Sequence, residues 1–366
     1  MTNRSKAGMT RCLALAVLLF AASAATGPAW SQTTEAILKY TGADRDQKLV
    51  DGARKEGQVV IYSAMIVNQA LRPLVDGFMK KYPFLKATYY RADSEYLTTK
   101  IAAEVRANNV VADVLEGTGV GELVSEANLS QPYFTPMIEA YPQKYRDPGG
   151  LWVATRLSYY SIAYNTRLIT ADKAPRTYED LLDPQWRGKL AWRVGSSSGA
   201  ALFLTNLRLA WGEERARAYF LKLRDQKIIN FGSGSARTLV DRVIAGEYPI
   251  ALQIFAHHPL ISKAKGAAVN SQLLAPVATT AATMVIPKGL KHPNAAMLLV
   301  DYILSKEGQK ILLDAEYFPA HPDIPPADAL AQVVPKYANV PEQFVGPDLL
   351  NKYNESSERI YEELFR

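Results

Sequence analysis

Two glycine- and serine-rich turns carry the residues best suited to chemistry. Gly195-Ser196-Ser197-Ser198-Gly199 and Gly232-Ser233-Gly234-Ser235 each follow a short apolar run and open a helical one. A helix N-terminus offers unpaired backbone N–H groups and about half a positive charge. Serine hydroxyls add donors, so such a turn can hold a carboxylate or phosphate without a cationic side chain. Ordinary N-capping by serine is the competing use. Ser197, Ser198, Ser235 and Ala236 are the candidate ligand contacts here. Ser63 with Ala64, and Glu116 with Gly117 and Thr118, end two further apolar runs and join the set.

His257 and His258 are two of only four histidines. Adjacent residues at a strand end point to opposite faces. One is therefore expected to face a cleft and the other a core or solvent, which makes a shared metal awkward. Arg156 and Arg193 fall at or inside strand runs, where a charge needs a reason, and either could pair with an anionic ligand. Tyr159-Tyr160 is a tyrosine pair of the kind that suits clefts or strand packing.

Signatures of common enzymes are absent: no GxSxG, HExxH, P-loop or GxGxxG. Ser262-Lys263-Ala264-Lys265 matches SxxK but lacks the SDN and KTG segments that would complete it. No enzyme is expected; a hydrolase using Ser262 or a turn serine is the reading of another class. The one cysteine, Cys12, lies in the N-terminal apolar stretch, so the rest of the chain can build no disulfide, thiolate nucleophile or cysteine metal site. No cofactor and no firm metal site are expected.

The elements that must position these residues alternate between strand and helix. Gln58–Ser63, Leu85–Tyr90 and Val111–Leu115 read as strands. Between them, a helix capped by Asn68 and a second over Leu97–Arg106 show one-sided apolar stripes. This β-α-β-α-β run implies a parallel sheet, in which ligands bind beyond the carboxyl ends of strands. Trp152–Thr155, Ser158–Tyr164, Lys189–Val194, Pro249–Phe255 and Thr279–Ile286 read as further strands. Length, at 366 residues, suggests two lobes. They are placed at 32–165 plus 276–366 and at 166–275.

Residues 1–31 read as a secretory leader: Arg4, Lys6 and Arg11, then the apolar run Leu13–Phe20, then small residues up to Ser31. Half of the net charge of +6 sits in that segment, so basicity gives no support for a nucleic-acid partner.

In order, these segments resemble the periplasmic solute-binding proteins of ABC importers, specifically the ferric-iron-type family 1 branch. The resemblance rests on QVVIYSA (58–64), FMKKYP (78–83), ADVLEGT (112–118), LWVATRLSYYSIAYNTRLI (151–169), PRTYEDLLDPQWRGKLAW (175–192), GSGSARTLVDRVIAGEYPIAL (232–252) and IPKGLKHPNAAMLLVDYILSKEGQKIL (286–312). It implies an α/β, two-lobed periplasmic binding protein fold (type II-like) with a β-strand hinge. It implies a small-molecule ligand trapped between the lobes, and an inner-membrane ABC permease with a cytoplasmic ATPase as partner. A periplasmic monomer is expected. Iron-binding members carry adjacent tyrosines where this chain has His258 and Pro259, and many carry a histidine at the position of Ile66. Loss of those phenolates removes the charge that would neutralise Fe3+, so a small organic anion is the favoured ligand. Ferric iron, alone or with a carrier anion and held by Tyr159, Tyr160 and His258, is the alternative.

Overall fold

The computed structural model describes residues 29–194, 198–232 and 234–366. Ser197 and the first 28 residues of the expected leader therefore lie outside the described residues. The chain begins with helices α1 (Ala29–Leu38) and α2 (Arg45–Glu56), followed by β1 (Gln58–Ser63), α3 (Arg72–Lys81), β2 (Lys86–Arg91), α4 (Ser94–Arg106) and β3 (Val114–Thr118). β1 pairs in parallel with β2 and β3, with Val59 opposite Ala87 and Ile61 opposite Val114. Helices on both faces bury β1, hence its nearly unbroken run of Val, Ile and Tyr. α3 turns Leu74, Val75 and Phe78 inward. Its expected start at Asn68 gives way to a wider π-type turn over Val67–Leu71, with α3 proper opening one residue before Pro73. Pro73 lacks an N–H and is tolerated only in a first turn.

β3 begins at Val114 rather than at the expected Val111; at Asp113 the amide still bonds the Val60 carbonyl at 2.8 Å, while the carboxylate takes up neighbouring amides. Its oxygens accept the amides of Val60, Lys291 and His292, at 2.8, 3.2 and 3.1 Å. α5 (Val120–Glu126) and β4 (Ser130–Gln131) follow. The two short strands expected on either side of Arg156 form one, β5 (Val153–Asn165).

The second half contains β6 (Leu190–Trp192), α6 (Ala200–Trp211), α7 (Glu213–Arg224), β7 (Ile229–Asn230), α8 (Ala236–Ala245), β8 (Ile250–Phe255), α9 (His257–Ala264) and β9 (Val269–Gln272). β10 (Val277–Pro287) then returns to the first half. It is followed by α10 (Pro293–Leu304), α11 (Lys306–Asp314), β11 (Phe318–Pro319), α12 (Asp328–Ala331), α13 (Pro335–Ala338), β12 (Glu342–Phe344) and α14 (Pro347–Leu364).

The strand order is β2-β1-β3-β10-β5-β8-β6-β7. β5 changes partners along its length. Residues 153–159 pair with β10, whereas residues from Tyr160 onward pair with β8 and β9. One strand thus passes between two separate cores. The first gathers Ile61, Phe78, Met284 and Leu299; the second gathers Trp192, Phe203, Phe220 and Leu223. Each large apolar side chain buried this way contributes about 1.5–3 kcal/mol.

The end of α14 packs on the second core, while the helix also meets α5 of the first half. Tyr361 and Leu364 join that cluster, and Trp192 meets Tyr361 and Phe365 at ring distances of 5.8 and 4.9 Å. Ser357 bonds Thr205 at 2.7 Å inside the α6–α14 seam. Among the described residues, no helix is long and apolar enough to cross a membrane.

Candidate functional site

The carboxyl ends of β1 and β3 meet at Ser63 and Glu116, as the parallel sheet requires. Both side chains are fully buried, and they bond to each other: Ser63 Oγ donates to Glu116 Oε2 at 2.6 Å. Glu116 Oε1 accepts from Thr155 Oγ1 and Arg156 Nε, each at 3.1 Å. Ser63 Oγ also accepts the Met65 amide at 3.0 Å. Arg156 lies over the Tyr317 ring, 4.9 Å from its centre. Burial works against its charge, but Glu116 and Tyr317 outweigh that and hold its pKa above the usual value. Ala64 and Gly117 touch along this wall: a Cβ on Gly117 would lie 2.6 Å from Ser94 Oγ and 3.4 Å from Ala64 Cβ. Thr118 is half-buried beside them.

The next candidates belong to the second half. Arg193 follows the last residue of β6. Its Nε donates to the Gly234 carbonyl at 2.6 Å and its Nη1 to Ser198 Oγ at 3.3 Å. The two serine-rich turns are thereby pinned to one guanidinium. Burial draws the Arg193 pKa below its usual value, against the opposing influence of Tyr160, Glu95 and Asp93. It forms an ion pair with no described carboxylate. Ser235 is exposed and caps α8, accepting the Thr238 amide at 3.1 Å, so its hydroxyl is engaged within the turn. Ala236 is buried behind it.

His257 and His258 do not continue a strand, so the expected alternation between faces does not hold. β8 stops at Phe255. Ala256 bonds the Tyr159 carbonyl at 2.9 Å and takes helical angles, placing both histidines in the first turn of α9. Their rings lie 4.5 Å apart. His257 packs on Phe318 at 5.4 Å and Tyr317 at 6.0 Å; His258 packs on Phe255 at 5.3 Å. Nδ1 and Nε2 of His257 and Nδ1 of His258 are sealed from solvent with no hydrogen-bond partner among the described residues. Burial depresses both pKa values, that of His258 to about 3 with Arg237 and Arg193 adding to the effect. At neutral pH both imidazoles are uncharged.

Tyr159 and Tyr160 point to opposite faces of β5. Tyr159 sits in the first core with Phe318 at 4.9 Å, which removes it from any ligand set shared with Tyr160. Tyr160 lies beside Phe255 at 5.1 Å and shares a hydrogen bond with Thr280 Oγ1 at 3.3 Å. Burial raises its phenol to about 12. Among the described residues, no three His, Cys, Asp or Glu side chains are grouped to hold a metal ion.

Arg237 was not singled out from sequence, yet it belongs here. It reaches the His258 carbonyl at 3.5 Å and pairs with Asp241 at 2.9 Å. Its signal was its place: a cation in the first turn of a helix opposes the macrodipole and calls for a tertiary reason. Thr280 and Tyr317 carry no comparable signal. Two open surface hollows, about 510 and 540 Å³, lie elsewhere and include none of these side chains.

Residues 111–343 match the family described as bacterial extracellular solute-binding protein. The chain is 24% identical over 264 residues to the "Fe(3+)-binding periplasmic protein" of Serratia marcescens, covering 69% of this chain and 75% of that one. Its fold is similar to that of iron-bound HitA from Pseudomonas aeruginosa, with a TM-score of 0.71 at 20% identity over 83% of this chain and 98% of that one. It is also similar to that of AfuA from Actinobacillus pleuropneumoniae with fructose-6-phosphate bound, with a TM-score of 0.69 at 22% identity over 85% and 99%. The fold is therefore that of the two-lobed periplasmic binding proteins. With the family match spanning more than half its length, this chain belongs to the bacterial extracellular solute-binding proteins.

Proposed function

We propose that this chain captures a small organic anion between its lobes and hands it to an inner-membrane ABC permease driven by a cytoplasmic ATPase. One observation carries the choice of ligand. Arg193 is a largely enclosed guanidinium that forms an ion pair with no described carboxylate. A buried charge is costly unless a counter-charge meets it. An anionic ligand is that counter-charge. The neutral imidazoles of His257 and His258 supply unspent nitrogens nearby. Ferric iron would meet Arg193 and Arg237 in place of paired phenolates. The fructose-6-phosphate bound to AfuA is an anion of the favoured kind, while the iron-named relatives support the alternative.

The proposed lobes are 32–165 plus 276–366 and 166–275, with the end of α14 seated against the second. Capture is reversible and involves no covalent step. Ser262, the one SxxK serine, is buried in α9 with a hydroxyl that meets no partner, so it has no base to activate it. Export through the leader at 1–31 places the mature monomer in the periplasm.

A thermal-shift panel tests the ligand class, since a ligand that binds only the native state stabilises by about 2.7 kcal/mol at a hundred times its Kd. Fructose 6-phosphate, gluconate, spermidine and ferric citrate are the probes. A rise with one or both organic anions and none with spermidine is the expected result. A rise with ferric citrate alone contradicts it.

A further inference from the structure

We infer that Arg156 is the second arginine gripping the anion, and that Glu116 and Ser63 act behind it as positioning residues. This rests on the anion reading above. Ser63 and Glu116 stand where a ligand would touch them, but they are spent on the chain itself. A carboxylate in that place would also repel an anion. What it does instead is fix a guanidinium.

Arginine is a rigid planar fork with five donors. Nε of Arg156 is committed to Glu116, and one face of the plane lies over Tyr317. An edge and a face determine the orientation of the whole group. The two terminal nitrogens that remain bond to no described residue, and the side chain keeps 10% of its surface open. Lysine could not reproduce this, because an ammonium paired with Glu116 has no second, outward-facing edge.

Arg156 also occupies the useful place on β5. It lies on the segment that pairs with β10, four residues before Tyr160 pairs with β8. Arg193 lies beyond β6 in the other half. An oxyanion held by both arginines therefore touches both lobes, and closure of the cleft completes its coordination.

The test is isothermal titration of the whole mature chain with inorganic phosphate and with fructose 6-phosphate. Arg156→Lys is expected to weaken the bound probe at least tenfold with an unchanged melting temperature. Glu116→Gln is expected to weaken it severalfold in the wild-type background and to add nothing in the Arg156→Lys background. That coupling separates positioning from a general structural role. If Glu116→Gln does not fold, Ser63→Ala, which removes the bond to the other carboxylate oxygen, takes its place with the same expected coupling. Wild-type affinity retained within twofold in Arg156→Lys overturns the inference while leaving the anion reading intact. Failure of the wild-type chain to bind either probe overturns both.

Discussion

At the scale of single residues, the proposed anion site rests on Arg193. Arg193 is held in place by a carbonyl and a hydroxyl rather than by a carboxylate. Arg193→Met is therefore expected to abolish anion binding while leaving the ligand-free melting temperature equal to or above that of the wild type, read by calorimetry. The histidines make a second prediction with a definite sign. His257 and His258 have pKa values lowered by burial, so below about pH 6.5 the unfolded chain binds protons that the folded chain refuses. Their contribution to stability is present above that pH and is lost as pH falls toward the folded value. His292 works the other way. Its bond to Asp113 at 2.9 Å is the main cause of a raised pKa, so its contribution is full below about pH 6.5 and fades as pH rises through the folded value. A melting series from pH 7 to pH 4 is expected to fall less steeply in His258→Asn than in wild type, and more steeply in His292→Asn. Sequence placed Ser63 and Glu116 toward the ends of two parallel strands, where the structure has them, because strand ends can be read from apolar runs. It could not show that Ser63 and Glu116 face each other across two strands, since that depends on the β1–β3 register. Nor could it separate Tyr159 from Tyr160 until the two faces of β5 were known to be different cores.

At the scale of elements, α14 joins the last residues of the chain to the second core. Its stripe of Leu350, Ser357, Tyr361 and Leu364 faces inward, and Tyr361 accepts a bond from Asn230 at 2.9 Å beside Trp192. Tyr361→Ala removes a buried ring and is expected to cost about 3 kcal/mol or more, measured by urea unfolding. The sequence reading assigns this charged final helix to the first lobe with the rest of 276–366, although its amphipathic stripe fits either. The strands were easier to read. Gln58–Ser63 falls where apolar patterning puts it, and Thr279–Ile286 lies wholly within β10. At Asp113, just before β3, the amide still bonds the Val60 carbonyl, but the carboxylate takes the Val60 amide and those of Lys291 and His292, a long-range exchange that no local pattern carries. The histidines entered a helix because Ala256 turned the chain, a choice made by the bond to Tyr159 in a distant strand.

At the scale of the whole molecule, β5 and β10 run through the junction of the halves, and the charged side chains gather around it. Arg156 belongs to the first core's side, and Arg193 and Arg237 to the second. Arg156 is already paired with Glu116 and Arg237 with Asp241, so in the reading proposed above the anion is the counter-charge of Arg193 alone and meets only the outward edge of Arg156. The most direct measurement is a side-by-side titration of wild type and Arg193→Met with fructose 6-phosphate and with ferric citrate, followed by calorimetry and visible absorbance. A chain that grips an oxyanion gives heat with the sugar phosphate, loses it in Arg193→Met, and shows no phenolate-to-iron band. A coloured ferric complex that survives Arg193→Met and disappears in Tyr160→Phe would contradict it.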